Sequence, residues 1–238
     1  FLGYRDYHLE GGPEPTALAS DPATGLGLLR SDRARSQAFS NMPPQVRKHV
    51  LEPRVLVLTK ANSRSTVHRP AHLDYVGVKR FDENGVVIGE HRFIGLFASS
   101  TYNQSVTQIP VLRRRVDELF ELAGFTPSSH SGKDLLQFCE TYPRDDFFQT
   151  DAEELFPIAR AVLQIHQRRQ TRLFTRHDRY GRYVSCLVYL PRDRYNTAVR
   201  QRVQDALLEA YGGISIDYST LLSESVLARL HIVVHMPP

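Results

Sequence analysis

Residues 54–98 read RVLVLTKANSRSTVHRPAHLDYVGVKRFDENGVVIGEHRFIGLFA, and no other stretch restricts the fold so tightly. Asn84-Gly85 stands between two β-branched, aromatic-rich runs, 75–81 and 86–97, which predicts an antiparallel hairpin. Val55, Leu56, Val57 and Leu58 form a short apolar run suited to a central strand. The polar, cation-rich residues 60–69 then fall between strands and are expected as a loop held by sheet on both sides.

Around this hairpin the periodicity changes twice. Up to about Gln108 the pattern is strand and loop, interrupted at 11–44 by a Gly, Pro, Ala and Ser-rich interval that has room for a short strand at 25–29. Three helices follow. The first starts at Pro110, places Leu112, Val116, Leu119, Phe120 and Ala123 on one face and ends at Gly124. The second covers about 133–142 and stops at Pro143. The third has Thr150 and Glu153 at capping-box spacing and an apolar face of Leu155, Ala159, Val162, Leu163 and His166. Pro157 lies inside it, where lost hydrogen bonding costs about 3 kcal/mol, so a kink or a new helix start is expected there. Beyond Gln170 the order is strand, strand, helix, strand, strand, with the turn at Asp178-Arg179-Tyr180-Gly181 and a helix over 197–211 that presents Val199, Val203, Ala206, Leu207 and Ala210 inward. The fold class is α+β, divided into a mixed β domain (1–108), a helical segment (109–170) and a β-β-α-β-β domain (171–238).

Charge and composition exclude several classes of function. Thirty basic against 26 acidic residues leave a net charge of +4, with the two signs interleaved, which argues against a nucleic-acid groove. No apolar run approaches the length of a bilayer-crossing helix, so no membrane partner is expected. Cys139 and Cys186 lie in apolar surroundings and read as buried, reduced thiols. The chain starts without Met inside an expected strand, as a piece cut from a longer protein would.

Catalytic signatures are missing. The chain has no GxGxxG after a strand, no GxxxxGK[ST], no GxSxG and no HExxH, so no catalytic residue, metal or cofactor is assigned to it. His68 and His72 are four apart with Asp74 nearby, but Pro70 denies them a helix. Gly89 reads as a bulge. Two clusters could take a small anion or amino acid. Ser63, Arg64, Ser65, Thr66, His68 and Arg69 combine hydroxyls with guanidinium forks, or else form a loop that caps its own backbone. Arg192, Arg194, Asn196 and Thr197 precede a helix, whose first amides attract anions, or else Asn196 or Thr197 is an N-cap beside solvated arginines.

Several ordered segments carry a family resemblance. They are FLGYR at 1–5, the 54–98 stretch, ETYPRD at 140–145, RYVSCLVYLPRDRYN at 182–196 and LSESVLARL at 222–230. Together they resemble the N-terminal regulatory region of the large bacterial NAD-specific glutamate dehydrogenases, with the likeness thinning between Leu9 and Gln45. The resemblance implies a PAS-type domain followed by an ACT-type domain with one helix on one sheet face, the usual second helix being missing. It also implies a cytoplasmic, non-catalytic regulatory or scaffold role within a homo-oligomer, whose partner is the remainder of the same polypeptide, where NAD and the active site lie. An amino-acid effector is implied near the strand-to-helix loop at 192–197. A stand-alone amino-acid sensor and an RNA-binding sheet are the alternative readings.

Overall fold

A computed structural model describes residues 1–12, 14–31, 35–168, 170–223 and 225–237, without the side chains of 166–168. The chain forms two compact units, Phe1–Thr101 and Tyr102–Pro238. In chain order the elements are β1 (Gly3–Glu10), β2 (Ala17–Ser20), β3 (Leu26–Gly27), β4 (Ser36–Ala38), α1 (Pro44–Leu51), β5 (Leu56–Arg64), β6 (His72–Phe81), β7 (Val87–Gly95) and α2 (Ser99–Asn103). They continue with α3 (Pro110–Ala123), α4 (His130–Thr141), α5 (Arg144–Gln149), α6 (Ala152–Arg168), β8 (Arg172–His177), β9 (Tyr183–Pro191), α7 (Thr197–Tyr211), β10 (Ser215–Leu221) and β11 (Leu227–His235).

The first unit is an antiparallel sheet in the order β4-β2-β1-β7-β6-β5, with β3 beside β1. Asp82 builds its hairpin turn: the Asn84 and Val86 amides donate to Asp82 Oδ1 at 2.9 and 2.8 Å, and Gly85 N–H donates to Asp82 O. Gly85 takes positive φ (78°) and Asn84 does not, so the turn is closed by one left-handed glycine rather than being a two-residue primed turn at Asn84-Gly85. The register shifts beside Gly89, between the pairs Arg80↔Gly89 and Phe81↔Val87, and a Cβ on Gly89 would collide with the Tyr7 carbonyl. Phe39 and Met42, with Val46 and Val50 of α1, pack against Leu18 and the inner side of Tyr7 and Leu9.

Two expectations fail here. Strand β5 lies at the sheet edge, not its centre, and Val55 is 61 % exposed. An apolar β-branched run reports strand formation but not how many neighbours the strand has. The expected loop is also shorter, because β5 continues through a bulge to Arg64, which pairs with His72.

In the second unit α3, α4, α5 and α6 share a core of Leu112, Val116, Leu119, Leu135, Phe138, Phe147, Leu155, Ala159 and Val162. Gly124 closes α3 at φ 64°, as its sequence predicts. Helix α4 begins earlier than the periodicity suggests, because Ser129 caps it by accepting from Gly132 N–H at 3.0 Å. Thr150 is not the cap of α6. It ends α5, its hydroxyl donating to Asp146 O at 2.7 Å, and α6 starts beyond it. Pro157 starts no new helix but lies within α6, whose first turn is already closed by Leu155 N–H to Asp151 O and which buries Leu155, Ala159 and Val162, with Leu163 half-buried. The side chain of His166, assigned to that face, lies outside the described residues.

The second sheet runs β10-β11-β9-β8, all antiparallel. One face packs on α7 through Val184, Cys186, Val188, Leu190, Leu230, Ile232 and Val234 against Leu207, Val199, Val203, Leu208 and Tyr211. Ala206 and Ala210, expected in that interface, are exposed; Leu208 and Tyr211 occupy it. Every residue of β9 is buried, so the sheet is covered on its other face too, where the short helix α5 reaches it. Among the described residues no helix is long and apolar enough to cross a membrane.

Candidate functional site

The first predicted cluster is divided by the fold. Ser63 and Arg64 end β5, exposed, and Arg64 Nε donates to His72 Nε2 at 3.3 Å. Ser65 is buried, and its hydroxyl donates to Val67 O at 2.7 Å and accepts from Val67 N–H at 3.2 Å, so the loop caps its own backbone here. Thr66 and His68 are exposed, and His68 adopts a left-handed φ of 64°. Arg69 reaches Phe97 O at 3.4 Å. Asp74 is buried and taken up by Lys60 Nζ at 2.6 Å and Phe97 N–H at 2.5 Å, apart from the two histidines it was grouped with.

The second cluster stays together at the head of α7. Asn196 is the N-cap, its side chain accepting from Val199 N–H at 2.9 Å. Arg192 Nη1 donates to Ser223 O at 2.7 Å, while Arg194, in the short 3-10 turn at 192–194, and Thr197, the first residue of α7, are exposed. Cap geometry therefore uses Asn196, and the guanidinium of Arg194 and hydroxyl of Thr197 are exposed beside it, with Asp193 also exposed between the two arginines.

The densest chemistry lies elsewhere, in two buried polar networks. In the first unit the Arg92 guanidinium sits 3.6 Å from the Tyr7 ring centroid and 5.0 Å from that of Tyr75, with Nη2 2.6 Å from Glu90 Oε1. The Tyr75 hydroxyl donates to the same oxygen and accepts from Arg92 Nε at 3.1 Å. Gly77 is opposite Arg92, and a Cβ there would press on Tyr75 and Glu90. Lys79, cross-strand from Glu90, donates to the His49 and Val50 carbonyls at the end of α1, and burial pulls its ammonium below the usual lysine range. Tyr and Arg side chains thus fill this face of the sheet.

In the second unit Asp146 of α5 meets three strands. Its carboxylate pairs with Arg176 of β8, accepts from the Ser185 hydroxyl of β9 and lies 3.4 Å from His231 Nε2 of β11. Burial alone would raise its carboxyl, but Arg176, His231 and Ser185 hold it well below the usual carboxylate range. A serine, a histidine and an aspartate suggest nucleophilic catalysis, yet the geometry is wrong for it. The Ser185 proton goes to Asp146, and the same His231 nitrogen faces both Ser185 Oγ, at 3.0 Å, and Asp146. A relay needs the histidine between the two, using both ring nitrogens. Ser185 is also 2 % exposed. His235 is engaged separately, with Nε2 2.8 Å from Asp217. Both thiols are free and buried as expected, Cys139 pushed up to about 12 and Cys186 to about 11 by burial, which removes them as nucleophiles at neutral pH. Asp146, Arg176, Ser185 and His231 were not recognisable as a group in the sequence, since they come from four separate segments.

Comparison with known proteins places these elements in context. Residues 109–168 match the family described as glutamate dehydrogenase, helical motif 1, and residues 172–238 match glutamate dehydrogenase, ACT2 domain. An NAD-specific glutamate dehydrogenase of Halomonas elongata is 40 % identical over 98 % of this chain and 15 % of its own length. That of Pseudomonas aeruginosa is 41 % identical over 100 % of this chain and 15 % of its own, and that of Mycobacterium tuberculosis 35 % over 99 % and 14 %. The chain therefore spans about one seventh of the length of these relatives. Two family models and three relatives of one description thus agree that this chain is similar to a part of the NAD-specific glutamate dehydrogenases.

Proposed function

We propose that this chain is a non-catalytic regulatory and scaffold segment of an NAD-dependent glutamate dehydrogenase. The parent polypeptide would oxidatively deaminate L-glutamate to 2-oxoglutarate and ammonia in the cytoplasm while reducing NAD. The observation that carries this reading is alignment over nearly the whole chain to only 14–15 % of NAD-specific glutamate dehydrogenases. A second support is that the buried charged groups described above pair with one another, with hydroxyls or with the backbone, as packing requires. Residues 1–108 are read as a PAS-like domain, 109–170 as a helical segment and 171–238 as an ACT-like domain. NAD would bind to the remainder of the polypeptide, which is also the segment's main partner within a homo-oligomer.

An amino-acid effector completes the proposal. Its carboxylate would be taken by Arg194, exposed two residues before the N-cap of a 15-residue helix, with the hydroxyl of Thr197, exposed at that helix's first position. The Ser63, Arg64, Thr66 and His68 group is the second candidate contact. Calorimetry of this chain against a panel of amino acids tests the effector, and Arg194→Ala should abolish the heat. Absence of heat for all of them would leave the scaffold role. NADH formation from L-glutamate should require the full-length polypeptide, and its production by residues 1–238 alone would sink the reading.

A further inference from the structure

Helix α5 has six residues, too few to fix its own orientation by an amphipathic face; Phe147 and Phe148 are all the large apolar surface it buries. Charged and polar groups hold it at both ends instead. At its first turn Asp146 is bound by β8, β9 and β11 through Arg176, Ser185 and His231. At its other end the Arg115 guanidinium of α3 donates from Nη1 to the carbonyls of Phe147 and, at 2.5 Å, Thr150, the groups a helix C-terminus leaves unpaired. Arg115 is 13 % exposed and Arg176 12 %. The Tyr183 hydroxyl of β9 adds a bond to Gln149 Oε1 at 2.5 Å.

We propose that α5 is a two-ended clasp, with Asp146 gripping the sheet and the last carbonyls gripped by Arg115, so that the sheet and helix α3 cannot rearrange independently. A six-residue hydrogen-bonded rod moves as one body, so displacing β8 or β9 at Asp146 shifts the carbonyls that Arg115 holds. The inference deepens the regulatory reading above: a ligand that altered the β8–β11 sheet would be sensed at α3 through this rod. Coupling of this kind requires that each end bias the same element.

Hydrogen exchange on the full-length polypeptide tests it. Arg115→Met, which removes both carbonyl bonds, should speed exchange of the β9 amides around Ser185, as well as those of α5, by about tenfold or more. Arg176→Met should likewise speed exchange in α3 around Arg115. The adjacent Arg114→Met, which loses only an exposed pair with Glu118, should leave β9 unchanged. Unchanged β9 exchange in the first variant, or unchanged α3 exchange in the second, would overturn the clasp. Should either variant fail to fold, Arg115→Lys and Arg176→Lys keep the charge and lose the fork. The same two regions should then respond by about threefold, and no response across α5 would refute the proposal. These readings are independent of glutamate, NAD and any effector, so a failed clasp leaves the regulatory assignment standing.

Discussion

Both units bury charge against an antiparallel sheet, yet they use it differently. In the first, Glu90, Arg92, Tyr75, Tyr7 and Lys79 sit on adjoining strands of one sheet, and only Lys79 reaches out to a helix, α1. In the second, Asp146 comes from a helix and its partners from three strands. A cross-strand network reinforces contacts that the backbone ladder already makes. A helix-to-sheet network supplies the contact itself, so removing one member should cost more and spread further.

The sharpest way to break this contrast is Asp146→Ala, which strands the Arg176 guanidinium in the interior. It should cost about 3–5 kcal/mol in urea unfolding. Asp146→Asn adds a pH signature. A carboxyl held below its ordinary value in the folded state contributes stability that is fully present above the unfolded value of about 4, and that is lost as pH falls toward the folded value. The asparagine variant should therefore show a shallower acid limb below about pH 4, and an unaltered limb would remove Asp146 from the ledger. Glu90→Ala comes next at about 2 kcal/mol, because Arg92 keeps the faces of Tyr7 and Tyr75. A larger loss for Glu90 than for Asp146 would reverse the comparison. Asn196→Ala should cost about 1 kcal/mol through the lost cap, read from the same unfolding curves. Ser63→Ala, at an exposed strand end, should leave the unfolding midpoint where it was.

What the sequence discloses depends on how local the cause is. The hairpin, α3 and α7 are legible because the turn glycines and the helical periodicity lie within their own few residues. Gly124 takes the left-handed end expected of it, and Gly212 does the same after α7. Helix α5 is hidden because six residues after Pro143 are too short to show a period, and α1 because its first turn holds prolines and its apolar residues are few. The edge position of β5 is set by topology, which a single run of Val and Leu cannot express. At the candidate sites the self-capping of Ser65 and the N-cap role of Asn196 were readable as alternatives, since each depends on a neighbour two or three residues away. The Asp146 network was not, since its members meet only after two sheet hairpins and a helix have docked.

Strand β9 carries a consequence for how the chain is made. Its nine residues are all buried, but β11, which covers its open edge, begins only at Leu227. A nascent polypeptide therefore displays Tyr183–Pro191, a mostly apolar run without a single charge, well before the shielding segment leaves the ribosome. Through that interval β8 guards one side alone, and truncation ahead of β11 would leave a sticky ribbon prone to self-association.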